Sequence, residues 1–191
     1  MPDEAVLDPG VRLLVMRFER FTDWRHADLA APYWRLYWNA QEGAWVRLFA
    51  RVTRLSPKRI YLIPPETPFA SSNDGPVDHL YLHFRAYPPY DRSEPAVHEL
   101  AAPRETLALA AELAQRLARG VGNPRNALVA LSLAHWALTR LPEDSVEAPR
   151  SDERMAAVAA HIQAHVARSE EHTSELQSQF QLVCRLLLEK K

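Results

Sequence analysis

Apolar and polar residues alternate with a period of two in several segments between Val11 and Phe84, and apolar residues recur with a period near 3.6 from Pro103 onward. Strand side chains point to opposite faces in turn, whereas helical ones return to a face every three or four positions, so this order predicts strands first and helices second. The clearest strand is V-D-H-L-Y-L-H-F, in which Leu80, Leu82 and Phe84 form an oily face and His79, Tyr81 and His83 a polar, aromatic one. Upstream, the apolar run Ile60 to Ile63 is stopped by Pro64-Pro65, which lack the N–H needed inside a sheet. Between these two segments S-S-N-D-G-P reads as a polar turn, with Asn73-Asp74-Gly75 supplying residues tolerant of positive φ. Val11 to Glu19 reads as a first strand, Phe21 to Ala31 as an irregular link, and P-Y-W-R-L-Y-W-N as a strongly β-prone aromatic strand. Gln41-Glu42-Gly43 then predicts a hairpin turn into A-W-V-R-L-F-A-R-V-T-R-L, a single half-buried strand with Val46, Leu48, Ala50 and Val52 on its apolar side.

After Phe84 the proline-rich link Y-P-P-Y-D-R-S-E-P separates the two regimes. Pro103 to Arg119 predicts a helix with Leu109, Leu113 and Leu117 four apart, stopped by Gly120. Asn123-Pro124 is an N-cap followed by N1, opening a second helix to Leu141 with Leu128, Leu131, Trp136 and Leu138 on or beside its apolar stripe. A short loop between two such helices favours an antiparallel pair. Ser151 caps a third, amphipathic helix carrying Met155, Val158, Ala159, Ile162 and Val166. The fold class expected is therefore α+β: an antiparallel jelly-roll barrel, a helix pair and a third helix.

Composition narrows the function more than the fold. The chain has 191 residues, 47% of them hydrophobic, and a formal net charge of −1, which leaves no overall basic footprint for nucleic acid. No apolar run approaches the ~20 residues that span a bilayer, and the N-terminus carries no basic segment followed by an apolar one, so a cytoplasmic protein without membrane contact is expected. The single cysteine, Cys184, excludes an intrachain disulfide and a thiolate zinc site. With only 5 glycines, a nucleotide cradle finds no support. Arg47, Arg51 and Arg54 form a basic stripe without interleaved aromatics and read as a solvated face.

Y-W-R-L-Y-W-N-A-Q-E-G-A, L-S-P-K-R-I-Y-L-I-P-P-E-T-P-F and H-L-Y-L-H-F, in that order and spacing, resemble the N-terminal sensor domain of the AraC/XylS family of bacterial transcription regulators, over roughly residues 11 to 140. The resemblance implies a cupin-like effector-binding barrel over 11–92, a helical dimerisation region over 93–141, a linker over 142–150, and at 151–167 the first helix of a helix-turn-helix DNA-binding domain. It also implies a small, often sugar-like effector, a homodimer, and DNA contact through recognition helices absent from these 191 residues. His79 and Tyr81 stand where sugar-sensing members place an effector-contacting histidine and a stacking aromatic ring. Ala40 stands near the position where such members carry a basic effector contact, which implies a different ligand. Residues 168–191 are expected to be foreign to the gene, because R-S-E-E-H-T-S-E-L-Q-S and L-V-C-R-L-L-L-E-K-K match a translated sequencing-library adapter, with Gln181 departing from it.

Candidate ligand contacts are thus His79 and Tyr81, with Trp34, Trp38 and Phe69 as an aromatic wall, although such rings are more often plain core. No cofactor and no catalytic group is expected. The alternatives are a small cupin enzyme holding a metal on His79 and His83, and a free-standing sugar-binding protein. Against the metal, the spacing is H-x-x-x-H with no carboxylate following in register.

Overall fold

The computed structural model describes residues 10–120 and 123–146. Contacts divide the chain into Met1–Pro149 and Arg150–Lys191, and every described residue belongs to the first unit. The third helix expected over 151–167 and the tail over 168–191 lie outside the described residues.

Among the described residues, nine strands form two antiparallel sheets. The first has the order β1 (Val11–Phe21), β8 (Val77–Ala86), β3 (Trp34–Asn39), β6 (Arg59–Ile63), β9 (His98–Ala101). The second has the order β2 (His26–Leu29), β7 (Phe69–Asn73), β4 (Ala44–Leu48), β5 (Arg51–Leu55). Helices α1 (Arg104–Ala118) and α2 (Pro124–Leu138) follow. This is the expected α+β, cupin-like arrangement, with the strands held as two facing sheets and no closed barrel.

Three layers result, and the five-stranded sheet is the middle one. Its register sets Leu82 of β8 opposite Leu36 of β3 and Leu36 opposite Leu62 of β6, so a row of leucines runs across one face. That face packs on Ala110, Leu113 and Ala114 of α1 and on Ala130, Leu133, Ala134, Ala137 and Leu138 of α2, whose small alanines let the helices lie close to the strands. On the other face Tyr81, Tyr37 and Tyr61 stand in register, toward a second core shared with Val46, Leu55 and Phe69 of the four-stranded sheet. Each layer needs the other two to bury its apolar face.

Several connections differ from the sequence-based expectation. Gln41-Glu42-Gly43 makes no hairpin, because β3 and β4 belong to different sheets; the chain crosses a corner there, with Gly43 at φ +117°. The strand expected over 44–55 is two strands joined at Phe49-Ala50, where Leu48 pairs with Arg51 and Phe49 takes φ +52°. Two-residue hairpins need positive φ, and Phe49 supplies it without the Gly or Asn that would have announced the turn. The turn also reverses facing: Val46 pairs with Thr53, both buried, and Val52 is left outward. S-S-N-D-G-P is less turn than expected, since Phe69–Asn73 is β7. Strand β9 lies where only helix was expected and carries the sheet on to Ala101. Four residues are too few for periodicity to register. In β1 a bulge between Leu13 and Val15 shifts the alternation, so that Leu13, Met16 and Phe18 all reach the helix-facing core.

The helix stripe also needs correction. Leu113 is buried in the core and Leu117 packs against it, whereas Leu109 is 40% and Leu128 64% exposed. In α2 the buried face runs through Ala130, Leu133, Ala134 and Ala137, not through Leu128.

Candidate functional site

The middle sheet places its odd-numbered residues of β3 and β8 toward the four-stranded sheet. There Arg35, Tyr37, His79, Tyr81 and His83, with Phe21 at the end of β1, form one wall of a cavity of about 200 Å³. Trp24, His26 and Leu29 from the link and β2, with Tyr33, close the rest. No Asp or Glu is among these lining residues.

Trp24 is held in place by groups from the neighbouring strand. Its N–H donates to Asn73 Oδ1 at 2.7 Å, and its carbonyl accepts from Ser71 Oγ at 3.2 Å. The Asn73 amide also donates to the carbonyls of Phe21, Thr22 and Gly75. Asn73, expected as a turn residue, therefore ties the β1–β2 link to β7.

His79 is 1% exposed, and its Nδ1 lies 2.7 Å from Asn39 Oδ1, an acceptor that assigns the ring proton to Nδ1. Burial, with His83 adding to it, pushes the His79 imidazole down to about 3. Burial and the nearby Arg35 guanidinium push His83 down to about 4. Both rings are neutral at physiological pH. His79 sits among Trp24, at 4.6 Å between ring centroids, and Tyr37, at 4.7 Å. His83 lies between Tyr33, at 4.7 Å, and Tyr81, at 5.2 Å. The Tyr81 hydroxyl donates to Glu19 Oε2 at 3.0 Å, and burial raises its phenol above the ordinary value. Burial does the same, more strongly, to Tyr37, which keeps it a hydrogen-bond donor.

Arg35 is 3% exposed. Its Cζ stands 5.1 Å from the ring centroids of both Tyr33 and Phe69, and its Nη1 is buried without a hydrogen-bond partner.

Of the residues expected from sequence, His79, Tyr81 and His83 line this cavity. Trp34 and Trp38 do not, because β3 alternates and their positions face the helices. Each donates its indole N–H to a backbone carbonyl, Trp34 to Tyr90 at 2.8 Å and Trp38 to Pro57 at 3.0 Å. Phe69 does not line the cavity either; it lies beneath Arg35 and edge-on to Tyr37. Sequence reasoning missed Arg35, Tyr37, Tyr33 and Trp24. The signal was present in W-R-L-Y-W-N, where Arg35 and Tyr37 must share the face opposite the tryptophans. His79 and His83 bring two imidazoles to one wall, but among the described residues no group of three His, Cys, Asp or Glu side chains is placed to hold a metal ion. Arg51 pairs with Glu99 at 2.9 Å and Arg54 with Asp74 at 3.0 Å, both on the surface, as a solvated basic face would. Among the described residues no helix is long and apolar enough to cross a membrane.

No protein-family model matches the chain, and no curated protein matches it. Among solved structures it is similar to ToxT from Vibrio cholerae, with 8% identity and a TM-score of 0.49 over 72% of this chain and 60% of that one. A second ToxT structure from the same organism gives 9% identity and a TM-score of 0.46 over 70% and 55%. The chain thus spans less than two thirds of either structure, and likenesses this distant carry no step of the functional argument.

Proposed function

We propose that the chain is the effector-sensing and dimerisation part of an AraC-type transcription regulator, not an enzyme. It binds a small-molecule effector in the cavity and contacts DNA through recognition helices encoded beyond Ala167. One observation carries this most: consecutive residues of β8 serve two surfaces, His79, Tyr81 and His83 toward the cavity and Leu80, Leu82 and Phe84 toward the helix layer. A ligand that moves the first set by a few tenths of an ångström presses on the packing of the second, since close-packed interiors transmit strain. An effector then acts by its different affinity for two arrangements of the helices. The sequence motifs resembling the AraC/XylS sensor support the same assignment. Leu109 and Leu128, exposed on α1 and α2, offer apolar surface for a second copy.

The test is a low-salt gel shift with the 191-residue chain and with the product of the gene continued in its native sequence beyond the codon for Ala167. The longer protein should retain a promoter fragment sequence-specifically and the shorter one should not. Specific retention by the 191-residue chain refutes the placing of the recognition helices, and its absence from both refutes the regulator.

A further inference from the structure

Arg35 is the group that the cavity's other contents leave unexplained. A guanidinium carries five N–H donors and stays charged at any physiological pH. Nη1 of Arg35 is buried without an acceptor, an unfavourable arrangement that an acceptor on a bound molecule would relieve. The two rings at 5.1 Å, Tyr33 and Phe69, fix the guanidinium plane by cation–π contact but accept no hydrogen bond. Among the described residues no carboxylate pairs with it. The neighbouring His83 is neutral and adds no second positive charge, so the site matches a monoanion better than a dianion such as phosphate.

We infer that the cavity takes a small organic monocarboxylate, its carboxylate paired to the Arg35 guanidinium and its apolar body lying against Phe21, Trp24, Tyr33 and Tyr81. The planar fork of arginine matches a carboxylate through two parallel N–H···O bonds. The size agrees: a dry cavity of ~150 Å³ holds benzene, and the ~200 Å³ here leaves room for one ring and a carboxylate. The Tyr37 phenol, kept protonated by burial on the same wall, is available as a further donor. This rests on the cavity being the effector site, and it assigns that effector an acid group and an apolar body.

Isothermal titration calorimetry of the 191-residue chain with benzoate, phenylacetate, benzyl alcohol and arabinose tests it, on the natural sequence and on Arg35→Met and Arg35→Lys. At least one of the two acids should bind about 10–100-fold more tightly than the alcohol, the worth of charge-assisted hydrogen bonds. Arg35→Met should abolish that preference and Arg35→Lys should keep only part of it. Thermal melting shows that the variants fold. Without ligand, Arg35→Met should melt higher than the natural sequence, because it removes an uncompensated buried charge. Arabinose or benzyl alcohol binding as well as the acids, with affinity unchanged in Arg35→Met, overturns the carboxylate assignment and leaves the effector cavity standing. No saturable binding of any of the four by the folded chain overturns both.

Discussion

Stability should fall with acid across the range set by His79. The ring has its ordinary value of about 6.5 in the unfolded chain, and in the fold burial, which opposes the charged form, pushes it down to about 3. Between those values the unfolded state binds a proton that the native state does not, so unfolding becomes easier as pH drops below about 6.5, and the loss is complete only near 3. At pH 5 the single ring should cost about 2 kcal/mol relative to neutral pH, or a melting temperature lower by about 4–8 °C for a protein of this size. His83 acts with the same sign and a smaller share, since it is only part-buried. The assay is thermal unfolding by circular dichroism from pH 7 to pH 5, with His79→Gln in parallel. Glutamine retains an amide able to bond Asn39 and does not titrate, so the variant should lose most of the dependence that His79 supplies. Melting curves that shift with pH by the same amount in both proteins would show that His79 is solvated or already charged in the native state, and the site would have to be redrawn.

Two further outcomes concern the helix layer. Leu113→Ala should cost roughly 2–5 kcal/mol of unfolding free energy, because it opens a cavity between α1 and the middle sheet; a urea midpoint within error of the natural sequence would place Leu113 outside the core. Leu109→Glu with Leu128→Glu should leave stability nearly unchanged and lower the mass in sedimentation from a dimer to a monomer, and a mass that stays dimeric removes these helices from the interface.

Much of the fold was legible because the two hydrophobic periods differ. The alternation at Val77–Ala86 and the N-cap at Asn123, which accepts from the Arg125 N–H at 2.8 Å, both depend on neighbouring residues only. Connections were harder to read. Whether a turn joins strands of one sheet or of two is decided by long-range pairing, which is why Gln41-Glu42-Gly43 and Phe49-Ala50 exchanged roles. The site was half legible for a related reason. In β8 a polar face and an oily face are visible in the sequence itself, so His79, Tyr81 and His83 could be singled out. In β3 every residue is buried, with large side chains on both sides, and alternation cannot say which side holds the cavity. Ring size pointed to Trp34 and Trp38, while the chemistry lay one position over, at Arg35 and Tyr37. Trp24 could not be found at all from local sequence, since its place depends on Asn73 and Ser71, far along the chain.

The pairing of β1 with β8, Val11 opposite Ala86, bears on how the protein comes into being. As the chain leaves the ribosome, the first strand must wait for the eighth, and β6 must wait, over a shorter stretch of chain, for β9. Sheets closed by such distant partners form slowly, because the loop is ordered before the contacts reward it. During that interval the apolar rows of β1, β3 and β6 are open to other nascent chains. A ligand that fits the finished cavity draws the population toward the closed sheet by mass action, so the amount of protein that survives synthesis should itself rise with the concentration of any molecule that binds there.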